Sequence, residues 1–124
     1  MLREIYSTTV SSLGPLVKDF ITENLIILFN KNAPPELAEF CVLHEGNNLS
    51  DIIESGDILK IENNTYKIVY VGGQVQKNLQ DLGHISLKFN NNADKESLEG
   101  SIYLENKPIF CPSPGNKIKI IKTE

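Results

Sequence analysis

A chain of 124 residues has the length of a single domain spanning 1–124. With 40% hydrophobic and 23% charged residues it has the makeup of a soluble globular protein that buries a core without disulfides or metals. A net charge of −4 with no basic patch argues against nucleic acid as a partner, and favours a basic protein, whose opposite field speeds association.

In chain order, residues 5–13 are rich in Thr, Ser and Val and predict a strand polar enough to lie partly exposed. Gly14-Pro15 breaks it, and Leu16, Val17, Phe20 and Ile21 recur at helical spacing, predicting a short helix over 16–22. Residues 25–29 are a continuous apolar run of strand length, covered on both faces. Pro35 suits the first position of a short helix through Glu39, where its missing N–H costs nothing. The next strand, residues 40–44, ends in His44, and Gly46 breaks the chain two residues later. Two β-rich runs, 58–61 and 66–71, joined through Asn63-Asn64, read as a hairpin. Val75, Leu79 and Leu82 fit a short helix capped by a left-handed Gly83. A strand over 84–89, a polar loop over 90–99 and strands over 101–104 and 117–121 complete the chain.

Seven or eight short strands with only short helices imply an all-β, single-domain, barrel-like fold. Gly56-Asp57-Ile58-Leu59-Lys60-Ile61 echoes Gly115-Asn116-Lys117-Ile118-Lys119-Ile120. An internal duplication would produce this echo, and so would reuse of one turn-to-strand idiom. No apolar run approaches the ~20 residues of a membrane-spanning helix. The first residues lack the long apolar stretch of a secretory signal. Cys41 and Cys111 make a poor disulfide framework and are expected as free thiols in a reducing cytoplasm.

Phosphate-cradling glycine loops, serine elbows, His-Glu-x-x-His and Cys-x-x-Cys are all missing from the sequence. Cys41, His44, His84 and Cys111 are the residue types of a zinc site. Strand alternation argues against it by sending Cys41 and His44 to opposite faces, and no metal or other cofactor is expected. The chain has two histidines. His44 shares its predicted face with Phe40 and Val42. It reads either as a satisfied histidine at the core's edge or as a nucleophile kept neutral by apolar surroundings. In the second reading, the break at Glu45-Gly46 lets backbone N–H groups approach an anion. His84, Ser86 and Lys88 share the polar face of their strand, which is either a solvated face or an anion-binding trio.

The order of elements resembles the glucitol/sorbitol-specific enzyme IIA of the bacterial phosphoenolpyruvate-dependent sugar phosphotransferase system (PTS). The resemblance rests on Tyr6-Ser7-Thr8-Thr9-Val10, on Ala33-Pro34-Pro35-Glu36-Leu37 leading to Phe40-Cys41-Val42-Leu43-His44, on Tyr70-Val71-Gly72, on Asn78-Leu79-Gln80-Asp81-Leu82-Gly83-His84 and on Pro114-Gly115. One departure is Glu99-Gly100, where the family pattern has Pro-Gly. The resemblance implies a cytoplasmic phosphocarrier that takes a phosphoryl group from the phosphocarrier HPr. It implies delivery to the IIB part of a membrane permease, a IIB/IIC assembly. By that resemblance His44 takes the place of the phosphorylated histidine. A mechanism then expected from the residues themselves has His84, if adjacent, steady the phosphoryl oxygens, with Ser86 and Lys88 as helpers on the ground of strand phase alone. The competing reading is a non-enzymatic small β-barrel that binds or regulates partners. An exposed edge strand in such a barrel would support a homodimer.

Overall fold

The computed structural model describes residues 2–46, 48–90 and 99–123. Among them are eight strands: β1 (Leu2–Leu13), β2 (Leu25–Asn30), β3 (Val42–Glu45), β4 (Ile58–Ile61), β5 (Asn64–Val71), β6 (Ile85–Lys88), β7 (Ser101–Leu104) and β8 (Lys117–Thr123). Three short helices join them: α1 (Val17–Ile21), α2 (Pro35–Ala38) and α3 (Val75–Leu82). The strands close into a barrel in the order β1-β3-β2-β6-β7-β5-β4-β8. Closure leaves no free strand edge among the described residues. The edge on which a homodimer was expected is therefore absent from this wall.

Period-2 alternation fills the interior. On β6, Ile85 and Leu87 are buried and Ser86 and Lys88 half-exposed; on β4, Leu59 and Ile61 are buried between outward neighbours. Tyr6, Leu28, Tyr66, Ile68, Phe89, Leu104 and Ile120 join them in one core. Most predicted elements fall where the pattern put them, with three differences. Strand β3 begins at Val42, because Phe40 and Cys41 turn off the end of α2 through bonds to Leu37 and Ala38 carbonyls. Phe40 thus leaves the face of His44 and packs its ring on Phe20, 5.4 Å between centroids. In the hairpin, Glu62 and Asn63 make the turn and Asn64 already pairs with Ile61. His84 stands just ahead of β6, and residues 91–98 of the expected polar loop lie outside the described residues.

The barrel has an internal two-fold relation. Exchanging β1 with β5, β2 with β6, β3 with β7 and β4 with β8 turns the closed strand order into itself. The registers obey the same exchange. Val10 opposite His44 corresponds to Ile68 opposite Leu104, and Leu13 opposite Val42 to Val71 opposite Ile102, each pair of strands being bulged between those positions. Thr8 opposite Ile118 corresponds to Tyr66 opposite Leu59. The halves meet antiparallel along β2–β6 and along β4–β8, where Lys60 faces Lys119. The two echoing segments therefore lie side by side, each led by a glycine of positive φ, Gly56 at 99° and Gly115 at 92°.

Candidate functional site

His44 is delivered to the interior by strand phase. On β3 it shares the inward face with Val42, opposite Val10 of β1 and beside Asn30 of β2. It is completely buried, at 0% exposure. Both ring nitrogens are engaged. Nδ1 lies 2.7 Å from the Thr8 hydroxyl, and Nε2 lies 2.7 Å from the Gly83 carbonyl oxygen. The Thr8 hydroxyl also reaches the Glu45 carbonyl, to which it donates at 2.6 Å. Burial pushes the His44 pKa down, and the Gly83 carbonyl partly offsets this by favouring the charged ring. A neutral imidazole near pH 7 follows.

The two partners differ in how firmly they are held. Thr8 sits mid-strand in β1, between β3 on one side and β8 on the other. Gly83 ends α3, an amphipathic helix that buries Val75 and Leu79. Its φ of 64° is left-handed, and the Gly83 and His84 N–H groups cap Leu79 and Asn78 carbonyls. Glycine is required there for a second reason. A Cβ at 83 would stand 3.0 Å from His44 Cε1 and 3.1 Å from Nε2. Gly46 has a parallel role. At φ 131° a side chain is disfavoured, and a Cβ would lie 2.9 Å from the Thr8 hydroxyl. The break after His44 thus makes room for Thr8, where the sequence suggested an approach for an anion. The Gly46 carbonyl accepts the Tyr6 hydroxyl at 3.2 Å.

The remaining predicted site residues lie elsewhere. His84 stacks on Phe29, with ring centroids 4.7 Å apart, and burial pushes its pKa down. Ser86 and Lys88 alternate with the core-facing Ile85 and Leu87, so they belong to the outer wall. The Lys88 ammonium sits 5.7 Å from the centre of the Tyr103 ring. The structure therefore brings the backbone at Gly83 to His44, and does not bring the side chains of Ser86 or Lys88 to it, because the barrel wall separates inward from outward positions. Thr8 was missed as a site residue. The signal available was a threonine in phase with the inward-facing Tyr6 and Val10.

A cleft of about 240 Å³ lies against this point, lined by Phe29, Asn30, Asn32, Asp81 and Leu82. Asn30 is the β2 partner of His44, and Leu82 precedes Gly83, so the cleft lies beside the peptide that covers the imidazole. Leu82 is among the exposed large apolar side chains. A larger cleft of about 360 Å³, at Ile21, Asn24 and residues 106–109, adjoins the equivalent point of the other half. There the counterparts of Thr8, His44 and Gly83 are Tyr66, Leu104 and Asn24, the last also left-handed at φ 61°. An imidazole thus stands at one of the two equivalent points, and Leu104 at the other.

Among the described residues no three His, Cys, Asp or Glu side chains converge as a metal site. Both cysteines are free, and burial pushes the Cys41 thiol up to about 11. No helix among the described residues is long and apolar enough to cross a membrane.

Residues 5–119 match the family model for the PTS system glucitol/sorbitol-specific IIA component. Proteins named PTS system glucitol/sorbitol-specific EIIA component from Shigella flexneri and from Escherichia coli (strain K12) are each 27% identical over 115 residues, 93% of this chain and 93% of the relative. A solved structure, the PTS system IIA component from Enterococcus faecalis V583, superposes with a TM-score of 0.82 at 27% identity. It covers 90% of this chain and 96% of its own. The chain belongs to the PTS glucitol/sorbitol-specific IIA family. It is a phosphoryl-transfer component of sugar uptake that works with the other components of that system. A non-enzymatic binding module is not favoured.

Proposed function

We propose that this member of the glucitol/sorbitol-specific IIA family acts in the cytoplasm through a phosphohistidine at His44. In this reading His44 accepts the phosphoryl group of phospho-HPr and passes it to the IIB part of a glucitol/sorbitol permease. The observation that carries the reading is the unequal enclosure of the two ring nitrogens. Nδ1 faces a hydroxyl fixed in the middle of a strand, whereas Nε2 faces a single carbonyl at the glycine end of a short helix. Opening the first means unpairing β1. Opening the second means moving one peptide whose glycine tolerates both hands of the backbone. Nε2 is therefore the nitrogen that accepts phosphorus.

Phosphoryl transfer depends on positioning and electrostatics rather than on covalent help from the protein. The elements are here. The imidazole is neutral, so its lone pair is available for in-line attack. Hydrogen bonds at both ring nitrogens hold the ring in place. The cleft at Phe29, Asn30, Asn32, Asp81 and Leu82 offers a seat of mixed apolar and polar groups beside the Gly83 peptide for the donor protein. A carbonyl oxygen 2.7 Å from Nε2 would repel a phosphoryl group, so the Gly83 peptide turns aside before transfer and the geometry described is that of the unloaded ring. The test uses a radiolabelled phosphoryl donor and purified general phosphotransferase proteins. His44→Gln takes up no label, and His84→Gln is labelled but passes the group on more slowly. Label persisting on His44→Gln would sink the assignment.

A further inference from the structure

We infer that Thr8 is the positioning residue that holds the ring proton of His44 on Nδ1, leaving Nε2 as the nucleophile. The inference rests on the reading of His44 as the phosphoryl acceptor, and it comes from counting protons. Three contacts surround the ring: Nδ1 with the Thr8 hydroxyl at 2.7 Å, that hydroxyl with the Glu45 carbonyl at 2.6 Å, and Nε2 with the Gly83 carbonyl at 2.7 Å. Both carbonyls can only accept. The hydroxyl has one proton and a neutral imidazole has one, so two protons serve three contacts. If Thr8 donates to Glu45, its lone pair faces Nδ1 and calls for an N–H there. The Gly83 carbonyl calls for the same proton on Nε2. The unloaded neutral ring satisfies one of these demands at a time.

A phosphoryl group on Nε2 removes the conflict. Nε2 then has no proton to offer, the Gly83 carbonyl has moved, and the remaining ring proton belongs on Nδ1. It donates to the Thr8 hydroxyl, which donates to the Glu45 carbonyl, so every proton has an acceptor. The chemistry balances without an outside base. The Nε2 lone pair forms the new N–P bond as the donor's N–P bond breaks, the electron pair returns to the donor imidazole, and the Nδ1 proton stays. Thr8 can hold this role because pairing of β1 with β3 and β8 fixes it, and because Gly46 leaves its hydroxyl free of a neighbouring side chain. Nothing corresponding exists in the other half, where Tyr66 and Leu104 occupy the equivalent places.

The test is the equilibrium of phosphoryl exchange between phospho-HPr and the intact protein, read with the ring 15N signals of His44. Thr8→Val strands a buried Nδ1–H in the loaded form, and the loaded fraction falls toward the donor by about tenfold to a hundredfold. Its unloaded ring shifts to the pure Nε2–H signal pattern, which loss of packing alone would not produce. Thr8→Ser, which keeps the hydroxyl, restores both readouts. In wild type, needing no variant, the loaded Nδ1–H is a slowly exchanging proton. A Thr8→Val protein with the wild-type equilibrium and ring signals, or a wild-type Nδ1–H in fast exchange with water, would overturn the inference while leaving His44 as acceptor. Wild type that takes no phosphoryl group overturns the reading beneath it.

Discussion

At the scale of the residue, the site is one imidazole with two hydrogen-bonding neighbours, Thr8 and Gly83, and no exposure. That has a consequence for stability as well as for chemistry. Burial lowers the folded pKa of His44 below its ordinary 6.5. Above that value both folded and unfolded chains hold a neutral ring, and its contribution is complete. As pH falls below it the unfolded chain takes up a proton that the folded chain resists, so stability drops toward the folded pKa. Urea unfolding of wild type is therefore expected to weaken below about pH 6.5 more steeply than that of His44→Gln, with His84 contributing the same slope to both. Equal slopes would contradict a buried neutral His44. Strand phase put His44 on an apolar face at the core's edge, and the structure places it fully inside. Strand phase did not reveal Thr8, because an inward threonine on β1 acquires meaning only when β3 is laid beside it, and register between distant strands is not written in either one. Alternation placed Ser86 and Lys88 on the outer face of their strand, but could not show that His84 stands ahead of that strand with its ring on Phe29.

At the scale of the element, α3 and its cap decide how the imidazole is covered. The helix and its left-handed glycine could be read locally, from Val75, Leu79 and Leu82 followed by Gly83, since helical period and cap chemistry are short-range. The start of β3 could not, because Phe40 follows the apolar strand pattern yet is turned away by the end of α2 and held by Phe20. Gly83→Ala tests the cover directly. It forces a Cβ to 3.0 Å from His44 Cε1 and holds alanine at positive φ. The expected loss of stability in chemical unfolding is about 1–2 kcal/mol from the left-handed conformation alone, with more from the contact. Phosphoryl uptake is expected to slow as well, because the peptide beside alanine no longer swings as freely. A Gly83→Ala protein as stable and as fast as wild type would mean that this turn neither packs on nor gates the ring.

At the scale of the whole molecule, the two-fold relation gives the core two equivalent points, and a buried imidazole stands at one of them. The barrel closes twice with the same plan, and only one half departs from it, placing His44 where the other has Leu104. The two-fold relation showed in the sequence only as the Gly56 and Gly115 echo, because the remaining strands share positions without sharing residues. The scaffold should therefore tolerate an aliphatic side chain at 44. His44→Leu gains burial of roughly 1.5–3 kcal/mol, against about 1–3 kcal/mol for a Gly83 carbonyl left without its donor. Thermal unfolding close to that of wild type is expected, together with complete loss of phosphoryl uptake. Unfolding of His44→Leu at room temperature would show that the two halves are not interchangeable at this position. The central claim, that the phosphoryl group rides on Nε2 of His44, is tested most directly on the loaded wild-type protein, by correlating 31P with the ring 15N and 1H signals. The account predicts one phosphohistidine, at His44, bonded through Nε2 with its proton on Nδ1. A phosphoryl group on Nδ1, or on His84, would contradict it.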